Sequence, residues 1–186
     1  PHYYKKVIAV NFTGDKNASA VSKLPKIKVR FLDTSLGEAS GVVRFRLPNT
    51  EIGLIGIHRE FGGQGGVVSN LLERVVIETA KASARTMSVE ELYSGGAGQM
   101  TLDFEDQIKN GIFIIDQMVE PATYQSKPKP DKTDEKESEF SSAGEDTLKQ
   151  RQRVLVVKRK DDQGNYIRTK NNLAEYSINV ISASIG

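Results

Sequence analysis

Residues 67–87 read as one long amphipathic helix, and that helix decides most of what this chain can fold into. Val68, Leu72, Val75, Thr79, Ala80 and Ser83 recur at helical spacing on one side, while Arg74, Glu78, Lys81 and Arg85 fall on another. A helix with a single apolar stripe gains its stability by burying that stripe against a second layer. The flanking segments identify that layer as β-structure, so the helix is expected to lie on the surface of a sheet.

The strand signals come before and after it. Residues 6–12 form a β-branched run ended by Thr13-Gly14-Asp15. From Lys26 the chain alternates, with Ile27, Val29 and Phe31 on one side and Lys28 and Arg30 on the other, the period of a strand with one buried face. Asp33-Thr34-Ser35-Leu36-Gly37 then turns the chain, and Val42 to Leu47 is expected as the partner strand, closed by Pro48. Later strands are expected from Ile112 to about Tyr124, over Arg153–Lys158, over Tyr166-Ile167-Arg168 after an Asp161 to Asn165 hairpin turn, and from Tyr176 to Ile181.

Three shorter helical signals complete the pattern. Thr50 is a cap candidate for a helix carrying Ile52, Ile55 and Arg59 that ends near Phe61-Gly62-Gly63. Ser88-Val89-Glu90-Glu91 has the capping-box form. Residues 100–110 place Met100, Phe104 and Ile108 four apart, with Asn110-Gly111 as the stop. These elements predict an α+β fold of bent antiparallel-rich sheets with flanking helices, strand-rich over about 1–48 and α+β over 49–186, with the helices on one side of a second sheet. Residues 126–146 are Lys, Pro, Asp, Glu and Ser with one Phe, too polar to offset the entropy of ordering, and are expected as a disordered insertion.

Composition narrows the function classes. With 26 basic and 24 acidic residues there is no field to hold a nucleic-acid backbone, and nucleic acid is not an expected partner. The absence of cysteine removes thiol nucleophiles, thiolate metal sites and disulfides. Asn11-Phe12-Thr13 and Asn17-Ala18-Ser19 match the glycosylation sequon, a triplet that arises often by chance. No run approaches the roughly 20 apolar residues that cross a bilayer, so these residues are expected to be soluble. Opening on Pro1 and stopping after an apolar segment, they look like a piece whose anchors would lie outside it.

The residues with catalytic chemistry are few. Gly62-Gly63-Gln64-Gly65-Gly66 precedes a helix, as phosphate-cradling loops do, yet no Gly-Lys-Ser/Thr follows and the loop succeeds a helix where a dinucleotide fold has a strand. A flexible connection accounts for it. Glu90, Glu91, Asp103, Glu105 and Asp106 fall near helix starts, where carboxylates oppose the helix dipole favourably. His2 and His58 are the only histidines and stand far apart. The alternative function is a soluble hydrolase or nucleotide-binding domain that uses the Gly62 to Gly66 loop and these carboxylates. The charged stripe Arg74, Glu78, Lys81 and Arg85 is the candidate contact face, either solvated or docked on a neighbouring subunit, where charge gives register more than affinity.

The order of motifs resembles one known family. "HREFG" closes the short helix, "MSVEELYSG" follows the long one, "EDQIKNGI" ends the next, and "LAEYSINVISASI" closes the chain. Together these resemble the SPFH/Band 7 domain of stomatins, prohibitins and flotillins. The family commonly has a Met-Ser-x-Glu-Glu-like segment after its long helix, here Met87 to Glu91. Its last strand carries a pattern like Tyr-Gly-Ile-x-Val, here Tyr176-Ser177-Ile178-Asn179-Val180, with Ser177 in the glycine position. The resemblance implies a non-catalytic membrane scaffold with no cofactor. It would be a homo-oligomer, or a hetero-oligomer with a paralogue, held to a membrane by segments outside these residues. Its partners would be membrane proteins such as proteases or channels.

Overall fold

The computed structural model describes residues 5–15, 20–120 and 153–186. Strands and helices are both present and all strand pairs but one are antiparallel, an α+β fold. The first part of the chain gives β1 (Val7–Asn11), β2 (Ser22–Lys23), β3 (Ile27–Arg30), β4 (Leu36–Ala39) and β5 (Gly41–Arg46). The helices are α1 (Glu51–Phe61), α2 (Gln64–Val67), α3 (Glu73–Ala84), α4 (Val89–Glu91) and α5 (Ala97–Asn110). Then come β6 (Ile112–Phe113), β7 (Ile115–Glu120), β8 (Arg153–Lys158), β9 (Arg168–Thr169) and β10 (Asn179–Ile185).

The main sheet runs β10-β5-β1-β2. Alternation along β5 explains its central place: Val43 and Phe45 are fully buried, while Arg44 and Arg46 point to solvent. Strand-rich residues 1–48 are therefore not a closed unit, because their sheet takes its edge strand β10 from the end of the chain. Beside it, β3 and β4 form a hairpin around Thr34, whose φ is +67°, and the Asp33 carboxylate accepts the Ser35 N–H. The expected pairing of β3 with residues 42–47 is thus corrected: β4 is the hairpin partner, and residues 42–46 pair with β1 and β10.

The long helix forms as expected but with one wider turn. A π-helical turn, Val68–Leu72, joins α2 to α3, and buried residues come in adjacent pairs: Val67 and Val68, Leu71 and Leu72, Val75 and Val76, Thr79 and Ala80, Ser83 and Ala84. So broad a stripe serves two neighbours, and α3 packs on both β3 and α5. On α5, Met100, Phe104 and Ile108 are all buried, each worth about 2 kcal/mol of removed apolar surface. Phe104 meets Phe12 at 6.2 Å between ring centroids, and α5 lies along β10. The helices thus pack on the main sheet and the β3–β4 hairpin, not on a second sheet of their own.

The helix caps match the sequence closely. Thr50 Oγ1 accepts the Gly53 N–H at the start of α1, and Gly62 closes it in the left-handed region at φ 71°. Ser88 and Glu91 form both halves of a capping box. The inward face of α1 differs from expectation: Ile52 and Ile55 are 85% and 50% exposed, and Ile57 is the buried residue.

The remaining strands form two ribbons. Ile114 is the switch point, donating to the Ile167 carbonyl and accepting from the Arg159 N–H, so the expected strand from Ile112 divides into β6, paired with β9, and β7, paired with β8. The expected hairpin of β8 with residues 166–168 is reduced to a Lys160–Tyr166 bridge around the Asp161 turn. The last strand begins at Asn179, after residues 172–177 have turned. That turn closes as a Schellman motif: the Ile178 N–H donates to the Leu173 carbonyl, the Ser177 N–H to that of Ala174, and Ser177 sits at φ +53°. Leu173 and Ile178 are buried, supplying the apolar contact such motifs carry. The expected insertion 126–146, and residues 121–124 of the expected strand, lie outside the described residues.

Candidate functional site

The charged stripe of α3 opens on a cleft between that helix and the segment after β9. Arg74, Glu78, Lys81 and Arg85 are all exposed, as the helical period places them. Asn70, Arg74, Glu78 and Thr79 form one wall of a cleft of about 220 Å³, and Ile112 with residues 169–172 forms the other. Lys81 and Arg85 continue the stripe beyond the cleft. The fold thus brings half of the sequence-predicted face into a concave site and leaves the other half on an open helix surface.

The second wall is held firmly. Asn171 Nδ2 donates to the Ile108 carbonyl at 2.7 Å, tying the segment to the last turn of α5. Leu173 is buried two residues on. Arg168 donates to the Gly111 carbonyl at 3.2 Å and to the Asp106 carboxylate at 2.8 Å, which fixes β9 before the cleft begins. Lys170, Asn171 and Asn172 were not singled out in the sequence, because an irregular segment has no period that would reveal which way a side chain faces. The dipeptide Asn171-Asn172 is the one available signal, since asparagine side chains often tie backbone turns.

The electrostatics of the site differ from those of the neighbouring helix. On α5, Lys109 and Glu105 pair at 2.6 Å across one turn, and Asn110 bonds Asp106 at 2.7 Å. On α3 the opposite charges Arg74 and Glu78 stand at the same spacing but form no ion pair, and among the described residues neither they nor Lys81, Arg85 and Lys170 make a side-chain hydrogen bond or salt bridge. Two cations and one carboxylate therefore face a cleft rich in asparagine, with donors and acceptors available. Such a lining suits a polar or charged peptide surface.

The residues weighed for catalysis have other engagements. Asp103, buried on α5, receives the Lys158 ammonium on both oxygens at 2.9 Å and the Gln99 amide at 2.9 Å. Asp106 pairs with Arg168, and Glu105 with Lys109. Glu91 closes the capping box while Glu90 is exposed beside it. Gly62 caps α1, and a Cβ on Gly66 would fall 1.9 Å from the Phe61 carbonyl, so these glycines serve a tight joint between α1 and α2. His58 is exposed on α1, and His2 lies outside the described residues. Among the described residues no group of three or more His, Asp or Glu is placed to hold a metal ion.

Three titrating groups of the described residues, Asp33, Asp161 and Tyr176, are shifted, and none of them lines the cleft. Burial raises the Asp33 carboxyl, but hydrogen bonds from the Ser35 and Val89 N–H groups outweigh it and hold the group below its ordinary value. Desolvation, reinforced by Glu60 and Glu175, pushes the Tyr176 phenol above its own. Tyr176 packs edge-on against Phe61 at 5.0 Å, joining the Schellman turn to the end of α1.

The chain matches no protein-family model, no curated protein and no solved structure at a significant level. Among the described residues no helix is long and apolar enough to cross a membrane.

Proposed function

We propose that this chain is a domain of the SPFH/Band 7 kind, a non-catalytic scaffold that assembles side by side with its own copies, or with a paralogue, on a membrane. There it organises or restrains membrane proteins such as proteases or channels. The observation on which this reading rests is the α3 stripe: Arg74, Glu78, Lys81 and Arg85 project along one helix with no ion pair inside the described residues, and two of them enter a cleft. Individually, exposed charges contribute about 0–1 kcal/mol to a contact. In a plane of many tethered copies such weak contacts add, because each further contact is effectively intramolecular. No cofactor is called for.

A second observation supports the family resemblance. Ser177 stands where the family pattern has glycine, and its backbone lies at φ +53°, the region glycine enters without a Cβ penalty. The pattern's glycine would therefore have a conformational reason at this position.

The test is lateral association in a plane. Copies labelled with donor or acceptor dyes and tethered by a terminal tag to a supported bilayer are expected to transfer energy above the level for random positions. Arg74→Glu is expected to lower that transfer towards the random level. Random transfer by the unaltered chain at high surface density would refute the scaffold. A turnover activity abolished by substituting the Gly62 to Gly66 loop or Asp103 and Glu90 would establish the hydrolase alternative instead.

A further inference from the structure

The register of the main sheet defines a second surface, opposite the core and remote in kind from the α3 cleft. Val7, Arg46 and Asn179 stand in one row across β1, β5 and β10, Ala9, Arg44 and Ser182 in the next, and Asn11, Val42 and Ser184 in the third. Directly paired residues project to the same side of a sheet. In the alternate rows Ile8 against Phe45 and Val10 against Val43 are fully buried on the core side. Lys23 of β2 pairs with Asn11 and joins the outer side.

Among the described residues the paired positions of this outer face hold Arg44, Arg46 and Lys23 and no aspartate or glutamate. Arg44 and Arg46 are exposed, stand roughly 7 Å apart on one strand, and make no ion pair or hydrogen bond among the described residues. In its row Arg44 stands between the small side chains of Ala9 and Ser182, and Arg46 between Val7 and Asn179. A solvated sheet face in a chain with nearly balanced charge ordinarily mixes both signs, as the β3–β4 hairpin does with Lys28 opposite Glu38.

We propose that this face docks on an anionic membrane surface, the guanidinium groups binding lipid phosphate and carboxylate headgroups. A face whose charged side chains are all cations is complementary to a surface of anionic headgroups. Among the described residues its paired positions carry no aromatic side chain to stack a base or to anchor a protein interface, which disfavours single-stranded nucleic acid and a protein hot spot. The overall charge of +2 is too small for firm duplex binding. Each basic group near an anionic surface strengthens partitioning about fivefold, a weak contact that becomes effective when many copies share the membrane. The physiological setting rests on the scaffold reading, but lipid binding itself is measured independently of it.

The experiment is co-sedimentation of the full chain with phosphatidylserine-containing vesicles and with pure phosphatidylcholine vesicles, at low and high salt. The chain is expected to favour the anionic vesicles and to be released by salt. Arg44→Gln with Arg46→Gln is expected to weaken that binding about 25-fold, while the same double variant keeps the native energy transfer on a bilayer to which it is tethered. Equal binding to neutral vesicles, undiminished binding by the double variant, or preference for a DNA duplex at equal phosphate would overturn the proposal. Loss of energy transfer with lipid binding intact would instead count against the scaffold alone.

Discussion

The ammonium of Lys158 on β8 contacts both carboxylate oxygens of Asp103 on α5 at 2.9 Å, and this pair fastens the distal ribbons to the helical layer. Lys158 also lies 4.3 Å from the centre of the Phe113 ring, and the Arg168 guanidinium 4.1 Å from it. The side chain of Asp103 is 9% exposed, so little water reaches the carboxylate and the cation is its main partner. Lys158→Met keeps the apolar stem but strands the carboxylate, and is expected to cost on the order of 3 kcal/mol in urea unfolding. Asp103→Asn keeps an acceptor and leaves a partly solvated ammonium, so a loss nearer 1 kcal/mol is expected. Equal losses in the two variants would contradict this asymmetry.

Gln107 is 1% exposed and bridges two elements: its Nε2 donates to Ser83 Oγ at 2.9 Å, and its Oε1 accepts the Phe113 N–H at 3.2 Å. Gln107→Leu fits the volume but leaves a buried hydroxyl and a buried amide without partners. The expected loss is about 2–3 kcal/mol. Ser83→Ala removes only one end of the bridge and is expected to cost about 1 kcal/mol. A thermal melt in which Gln107→Leu matches the native chain would show that water replaces the bridge.

What the sequence disclosed follows from which interactions are local. Caps at Thr50 and Ser88 and the stop at Gly111 depend on residues within one turn, and all were legible. The α3 stripe was legible because burial repeats with the helix. Strand β4 was not: Leu36 is 76% exposed and only Ala39 is buried, so its apolar pattern is blank and it is held by backbone bonds to β3. Gly37 lies there because a Cβ would come within 2.7 Å of the Phe31 ring. On α1 the spacing of Ile52 and Ile55 indicated one face, but packing of Gly53 against Pro48 and burial of Ile57 turned another inward. Of the cleft, Arg74 and Glu78 were readable from the helix, whereas Lys170 is brought in by long-range bonds at Arg168 and Asn171.

Ser177 offers a gain of stability. In the Schellman turn it holds φ +53°, which a residue with a Cβ enters at a cost of roughly 1 kcal/mol. Ser177→Gly removes the clash, though glycine also widens the unfolded ensemble. A net gain of about 0.5 kcal/mol is expected, seen as a rise of about 1–2 °C in melting temperature. Ser177→Val, branched at Cβ, is expected to lower it by more than the glycine raises it. A drop for the glycine variant would mean that the serine hydroxyl contributes more than its backbone costs.

Asp33 links the β3–β4 turn to α4, its carboxylate accepting the Ser35 N–H at 3.1 Å and the Val89 N–H at 3.2 Å. Burial alone raises this carboxyl, and the hydrogen bonds bring it below its ordinary value. A depressed folded-state pKa means that ionisation favours the fold. The stabilisation is present at neutral pH and is lost as pH falls from about 4 through the folded value. Asp33→Asn imitates the protonated group at every pH. It is expected to be less stable than the native chain at pH 7 by on the order of 0.5 kcal/mol, reduced by solvent screening at this exposed site. That gap should close as both proteins are taken into acid, because the native carboxyl then loses its charge as well. A gap that stays constant from neutral to acid pH would assign the difference to hydrogen-bond geometry and not to charge.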